Sequence, residues 1–247
     1  MSYSNQVGTQ AEYFEKILSE SNIRVLQLAQ IFPRIENKSV KIGAIDPDTS
    51  HPNHVDMLYV CAIARHIGAR RIFEFGTYLG RTTFHLALGK DVSEVYTLDL
   101  NPEVDHTSLK LGQAVKSVHK LGLQGHFFHG HECSRHIVQL HGDSRFFDYS
   151  PYRNNIDFIF IDGGHTYEYV TNDTSKALEM LGPGGVIVWH DFAPKSPDVV
   201  TFAQEFSSTR PLFWIKGTSL LVYIDGIDAL SYEAVVPKYA RSILKPV

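Results

Sequence analysis

The sequence predicts a single α/β domain in which a mostly parallel sheet has helices on both faces and a C-terminal hairpin adds one antiparallel strand. Short apolar runs alternate with helical patterns from residue 71 onward, which is typical of a parallel sheet. The run Ile156–Ile161 is apolar almost without interruption, as expected for a strand buried on both faces. The runs 212–216 and 220–224 lie too close together for a crossover helix, so they predict the hairpin.

The composition restricts the class of protein. The chain has 247 residues, 20% of them charged and 43% hydrophobic, and a formal net charge of −4. These values exclude a disordered, fibrous or low-complexity chain. No apolar run approaches the roughly 18 residues of a membrane span, and the charge gives no basis for nucleic-acid binding. Two cysteines and the absence of a secretory signal pattern lead us to expect a reduced, cytoplasmic protein that acts on a small molecule.

The N-terminal part differs from the rest of the chain. Residues 9–31 have a helical spacing of apolar positions, which predicts one or two amphipathic helices that include Val25 and Leu28. Residues 33–54 contain three prolines and one glycine, show no periodic face and predict a loop. We expect 1–55 to form a helical extension that covers the acceptor side of the site, with helices that are also suited to homo-oligomer contacts.

The core, 56–225, follows as alternating elements. A helix is predicted over 55–67. The predicted strands are 71–75, 94–100, 137–140, 156–161, 186–189, 212–216 and 220–224. The helices between them are predicted near 82–88, 111–122, 166–181 and 199–206. Because ligands of open parallel sheets bind outside the carboxyl ends of the strands, these ends are the candidate site.

Carboxylates and glycines follow five successive strands at this edge. The first turn contains Gly76 and Gly80 in a Gly-x-x-x-Gly spacing, which differs from the Gly-x-Gly-x-x-Gly of dinucleotide binders. Taken alone, each end has an ordinary explanation, such as a strand-to-helix turn or a helix cap at Asp99. The acidic residues near the five ends are Glu74, Asp99, Asp143, Asp162 and Asp191.

Three segments resemble the class I S-adenosylmethionine-dependent methyltransferases. Residues 74–80 read Glu-Phe-Gly-Thr-Tyr-Leu-Gly and are similar to the first motif of that family. Residues 158–168 (Phe-Ile-Phe-Ile-Asp-Gly-Gly-His-Thr-Tyr-Glu) and 182–191 (Gly-Pro-Gly-Gly-Val-Ile-Val-Trp-His-Asp) are more specific. They resemble the small-molecule O-methyltransferase branch that includes macrolide-sugar and catechol-type enzymes. The resemblance covers roughly residues 65–225 and implies a Rossmann-like sheet.

The resemblance implies S-adenosylmethionine as the cofactor and assigns residues to its parts. The turn 76–80 would line the methionine and ribose, and Glu74 would lie near the cationic end of the cofactor. Asp99 would hold the ribose hydroxyls, and Asp143 with Ser144 would border the adenine. The implied cofactor-binding residues are Glu74, Gly76, Thr77, Tyr78, Gly80, Asp99, Leu100, Gly142, Asp143, Ser144 and Asp162.

The resemblance also implies the catalytic groups. His165 occupies the position of the general base, although a helix-capping role is the alternative. A divalent metal, Mg²⁺ or similar, would lie between Asp162, His190 and Asp191. His190 departs from the usual carboxylate or amide at its position, which weakens the case for magnesium, because magnesium prefers oxygen ligands.

Two other functions and one other site remain open at this point. The chain is alternatively an NAD(P)-dependent oxidoreductase on a similar sheet, or a catalytically silent binding protein with the same fold. The histidines of 126–141, together with Cys133, do not have the paired-ligand spacing of a structural zinc site, so we interpret this stretch as a surface loop.

Overall fold

The computed structural model describes residues 12–43, 54–104, 109 and 111–227. An eight-stranded sheet lies at its centre, with the strand order β1-β7-β8-β6-β5-β2-β3-β4. The strands are β1 (Arg24–Leu26), β2 (Arg71–Phe75), β3 (Glu94–Asp99), β4 (Ile137–His141), β5 (Ile156–Ile161), β6 (Leu181–Trp189), β7 (Phe213–Ile215) and β8 (Leu221–Ile224). The helices are α1 (12–19), α2 (Leu28–Ile31), α3 (His54–His66), α4 (Arg81–Ala87), α5 (Gln113–Lys120), α6 (Tyr167–Met180) and α7 (Pro197–Ser207).

The predicted sheet and its hairpin are confirmed. β8 pairs antiparallel with both β6 and β7, and every other pair in the sheet is parallel. The strands β2 to β8 lie at the predicted places, and β6 extends back to Leu181, with an irregular register opposite the start of β5.

The N-terminal prediction is wrong in one place. Arg24–Leu26, which we predicted to be helical, is a strand that pairs in parallel with Phe213–Ile215 at the sheet edge. Val25 is therefore a strand residue, and Leu28 begins a helix of four residues. The spacing of apolar residues fitted a helix. The strand forms because it pairs with residues almost 190 positions later, and local spacing does not reveal such a partner. Residues 1–11 and 44–53, including part of the predicted extension and loop, lie outside the described residues.

Both faces of the sheet are covered. Phe158 and Phe160 of β5 point to one face, where they pack with α3 and α4. Ile159 and Ile161 point to the other face, where α6 and α7 pack. Burial on both faces explains why β5 is apolar almost throughout.

The order in which strands are added to the sheet reverses at its centre. There β2 has β3 on one side and β5 on the other. Backbone hydrogen bonds continue one residue beyond the strand ends there. The Gly76 amide donates to Leu98 O at 2.8 Å, and the Asp162 amide donates to Phe75 O at 3.0 Å. The predicted site residues are therefore held side by side at one edge, at the switch point where ligands of such sheets bind.

Within the described part of the chain, no helix is both long and apolar enough to cross a membrane.

Candidate active site

A cleft of about 490 Å³ runs along the carboxyl edge of the sheet. It brings together residues from four strand ends that the sequence singled out. The predicted residues that line it are Gly76, Tyr78, Asp99, Leu100, Gly142, Ser144, Asp162 and His165. Leu111, which precedes α5, and Val115, which lies in α5, add apolar surface to the cleft wall. Thr77 and Gly80 do not line this cleft but a smaller adjoining pocket.

The turn after β2 requires glycine at two positions. Gly76 has a φ of +94°, and a Cβ there would lie 2.2 Å from the carbonyl oxygen of Asp162. Gly80 has a φ of +78°, and a Cβ there would lie 2.5 Å from the Phe128 ring. Side chains are excluded at both positions, so the backbone of β2 approaches β5 closely and leaves the cleft open above it.

Asp99 connects the end of β3 to this turn. Its carboxylate accepts hydrogen bonds from the amide of Tyr78 at 2.8 Å and from its own neighbour, the Leu100 amide, at 2.7 Å. His119 lies 3.5 Å from the same carboxylate. Tyr78 has a φ of +47°, an uncommon conformation for a residue with a side chain, and the Asp99 carboxylate helps to hold it there.

Asp143, at the end of β4, is surrounded by its own partners. Arg145 Nη2 lies 2.6 Å from its carboxylate, and the Tyr169 hydroxyl donates to it at 3.0 Å. Burial alone would raise the pKa of Asp143, but the Arg145 and Tyr169 hydrogen bonds lower it overall. The neighbouring Gly142 and Ser144, rather than the Asp143 carboxylate, face the cleft.

Glu74 is buried beneath the turn, with 1% of its surface exposed. Its carboxylate accepts hydrogen bonds from Thr83 and, at 2.7 Å, from Thr97. Burial raises the pKa of Glu74 to about 8, and these two hydrogen bonds only partly oppose the shift. Glu74 therefore holds a proton at neutral pH, although it lies close to where the resemblance places the cationic end of the cofactor.

His165, which lines the cleft, forms a pair with Asp191. His165 Nε2 lies 2.8 Å from Asp191 Oδ2, and about half of the His165 side chain is exposed. The hydrogen bond to Asp191 raises the pKa of His165, with burial opposing the rise. Asp191 has a φ of +59°, which marks a constrained backbone at the end of β6. The arrangement is that of a histidine oriented by a buried carboxylate.

Comparison with known proteins identifies the central part of the chain. Residues 73–192 match the sequence family described as a methyltransferase domain. The match covers 120 of the 247 residues. The resemblance to class I methyltransferases in the sequence is thereby confirmed. No curated protein matches the sequence significantly.

Three solved structures with the same fold are of a methyltransferase or of candidate O-methyltransferases. PaMTH1 of Podospora anserina, bound to S-adenosylhomocysteine, has 15% identity and a TM-score of 0.52 over 81% of this chain and 88% of its own. A candidate O-methyltransferase of Klebsiella pneumoniae has 14% identity and a TM-score of 0.51 over 81% and 90%. A candidate caffeoyl-CoA O-methyltransferase of Staphylococcus aureus has 13% identity and a TM-score of 0.50 over 81% and 91%. These likenesses establish the fold.

His190 lies close to three carboxylates. Its Nδ1 is 3.1 Å from Asp162 Oδ1 and 3.3 Å from Asp191 Oδ2, and its Nε2 is 3.4 Å from Asp56 Oδ2. Burial alone would lower the pKa of His190, but Asp162 and the other two carboxylates raise it far above its ordinary value. Lys195 Nζ adds a second cation, 2.9 Å from Asp191 Oδ1.

The candidate metal ligands converge in the same place. One atom each from Asp162, His165 and Asp191 lies within 4.8 Å of the other two. The predicted third ligand, His190, faces the same two carboxylates. Two carboxylates with imidazole nitrogens form a donor set that fits Mn²⁺ or Zn²⁺ better than Mg²⁺, since Mg²⁺ prefers oxygen ligands.

Sequence reasoning missed several residues of this site. Asp56 is 2% exposed and reaches the site from α3, which lies outside the matched segment. A carboxylate in the first turn of a predicted helix has an ordinary explanation in the helix dipole, so nothing marked it out. Arg145 follows Asp143 by two residues, and Lys195 follows Asp191 by four. This short spacing could have predicted that both cations pair with the site carboxylates.

Proposed function

We propose that this methyltransferase transfers a methyl group from S-adenosylmethionine to a hydroxyl of a small molecule, with His165 as the general base. One observation carries the proposal. A single cleft is lined by Gly76 and Tyr78 of the glycine turn, by Asp99 and by the half-exposed His165, which is paired with Asp191. The O-methyltransferase descriptions of the neighbours from Klebsiella pneumoniae and Staphylococcus aureus favour oxygen as the acceptor atom.

The shape of the cleft supports the placement of the nucleoside. Its wall near Leu111, Gly142 and Ser144 is partly apolar and suits an adenine ring. Asp99 lies between this wall and the turn, where a carboxylate suits a ribose diol. The methionine end then points toward the turn and Asp162, so that the sulfonium faces His165.

Methyl transfer requires alignment and the removal of a proton. The acceptor oxygen forms a bond to the methyl carbon while the carbon–sulfur bond breaks, and the electron pair of that bond stays on sulfur. The reacting atoms must approach to about 3–3.5 Å. The hydroxyl proton passes to a ring nitrogen of His165, which accepts it as a neutral imidazole. Asp191 orients the ring and stabilises the imidazolium that forms.

One form of the proposal includes a divalent ion. Asp162, His190 and Asp191 would hold it, and when bound it would lower the pKa of the acceptor hydroxyl and orient it. In that form His165 stays free to act as the base. If His165 itself becomes a ligand, together with Asp162 and Asp191, its ring is no longer available for proton transfer. His165 therefore acts either as the base or as a metal ligand, but not as both at once.

Thermal protection tests the cofactor class. S-adenosylhomocysteine is expected to raise the melting temperature of the full chain, whereas NADH is expected to leave it unchanged. Protection by NADH but not by S-adenosylhomocysteine would favour the oxidoreductase alternative and contradict the proposal. Binding of S-adenosylhomocysteine with no turnover on any hydroxyl acceptor tested, in wild type and His165→Ala alike, would favour a silent binding protein.

A further inference from the structure

A second pocket adjoins the cofactor cleft. It has a volume of about 130 Å³ and shares Gly76, Tyr78 and Asp162 with the larger cleft. Part of its wall comes from α3, which supplies His54 and Asp56. Because α3 precedes the matched segment 73–192, the family motifs do not account for these two residues.

Asp56 has one satisfied and one unsatisfied oxygen. Its Oδ2 accepts hydrogen bonds from the Ser219 hydroxyl at 2.6 Å and the Ser219 amide at 3.2 Å. Its Oδ1 is buried and has no hydrogen-bond partner among the described residues, and the same is true of His54 Nε2. Buried carboxylate oxygens without a donor are rare and costly, so a bound ligand that supplies a donor is the natural explanation.

The same pocket also has a cationic side chain in its wall. Arg81, the first residue of α4, lines it together with Asp56, and the other ionisable residues of the wall are His54, Glu74, Asp162 and His190. A guanidinium recognises carboxylates well, whereas the buried Asp56 oxygen requires a donor such as an ammonium. The pocket therefore offers both a buried carboxylate oxygen without a donor and a guanidinium, which are the partners that an α-amino acid group requires.

We infer that Asp56 is a specificity-determining residue that recognises the α-ammonium of the methionyl group of the cofactor, with Arg81 facing the α-carboxylate. This inference rests on the proposed function. It extends the cofactor site to a helix outside the methyltransferase motifs. It also predicts that the protein distinguishes nucleosides with an amino acid tail from those without one.

Calorimetric titration with two nucleosides tests this role. S-adenosylhomocysteine carries the amino acid group, and 5′-methylthioadenosine has the same adenosine and sulfur without it. Asp56→Asn is expected to weaken binding of S-adenosylhomocysteine by roughly 10- to 100-fold, the range of a charged hydrogen bond. Binding of 5′-methylthioadenosine is expected to stay within about twofold. The matched control is Asp91→Asn, a half-exposed carboxylate that pairs with Arg65 and should change neither affinity.

The outcomes separate a binding role from a structural one. If Asp56→Asn weakens both nucleosides equally, or weakens neither, the inference is wrong. Arg81→Gln should give the same selective loss and serves as the second variant if Asp56→Asn does not fold. If the wild-type protein binds neither nucleoside, the proposed function itself fails, and this inference fails with it.

Discussion

At the scale of single residues, charge and burial determine which groups at the site carry protons. Asp191 hydrogen-bonds to His165 and raises its pKa, while the Glu74 carboxylate is kept protonated by burial. The acid that the sequence placed nearest the cationic cofactor is thus neutral in the free protein. Two of the proposed site residues therefore have pKa values above their ordinary ones.

Replacement of the proposed base tests its role. His165→Ala is expected to lower turnover by roughly 10²–10⁴-fold, because the acceptor hydroxyl loses its proton acceptor. The affinity for S-adenosylhomocysteine should change little. Single-turnover kinetics and calorimetry measure the two quantities separately. His126→Ala, at an exposed histidine outside the cleft, is the control and should leave both unchanged. Unimpaired turnover in His165→Ala would show that another group accepts the proton.

Metal removal tests the cluster around His190. If an ion held by Asp162, His190 and Asp191 takes part, incubation with excess EDTA should abolish turnover, and Mn²⁺ should restore it more fully than Mg²⁺, since imidazole suits Mn²⁺ better. Mn²⁺ binding is followed independently by the loss of its free paramagnetic resonance signal. Full turnover in EDTA together with an undiminished free Mn²⁺ signal would remove the metal from the account.

The buried Glu74 predicts a pH dependence of stability. Its pKa is raised from 4.5 to about 8, so the folded state retains the proton more strongly than the unfolded state does. The stabilisation is therefore fully present below about pH 4.5 and declines as the pH rises through about 8. Glu74→Gln, which is neutral at every pH, should lose less stability than wild type between pH 5 and 8.5. Urea unfolding across this range measures the difference, and parallel curves for both proteins would refute the assignment.

At the scale of elements, the site exists because the chain leaves β2 through a glycine turn at the centre of the sheet. Gly76 brings the backbone against the carbonyl of Asp162, and the carboxylate of Asp99 holds the turn from β3. Three strand ends are thereby fixed to one another by short backbone contacts. The missing side chain at Gly76 allows the backbone after β2 to lie this close to Asp162.

Replacing Gly76 by alanine tests the close approach of the turn to the backbone of Asp162. Gly76→Ala combines a φ of +94° with a contact of 2.2 Å to backbone. It is therefore expected to lower the free energy of unfolding by about 2 kcal/mol or more. Gly130→Ala is the matched control, because Gly130 has a φ of +76° but nothing within 4 Å of a Cβ. Urea denaturation should show a distinctly larger loss for Gly76→Ala, and equal losses would contradict the contact.

At the scale of the whole molecule, the sequence predicted what is local or repeated and missed what depends on distant partners. β5 was predicted at its observed bounds, because burial on both faces leaves a continuous apolar run. The grouping of Asp99, Asp162 and His165 followed from the rule that parallel strands end at one edge. The strand at Arg24–Leu26 and the contact between Asp56 and Ser219 depend on residues far along the chain, and local spacing carries no sign of either.

The acceptor and the assembly belong to the same scale. A small-molecule acceptor and homo-oligomer contacts through the N-terminal helices stay predictions. Within the described part, α1 packs inward, since Phe14 stacks on Trp214 at 4.6 Å and also contacts Phe192. Its apolar face is thus used within the protomer, which leaves other surfaces for any contact between copies.

The central claim is that a sulfonium nucleoside lies along the sheet edge with its ribose on the Asp99 carboxylate. Calorimetric titration of S-adenosylhomocysteine into wild type and Asp99→Ala tests it most directly, with Asp91→Ala as the control. We predict measurable binding to wild type and the control, and affinity weaker by an order of magnitude or more in Asp99→Ala, because the diol loses a charged acceptor. Equal affinities in all three proteins, or no binding to wild type, would contradict the claim.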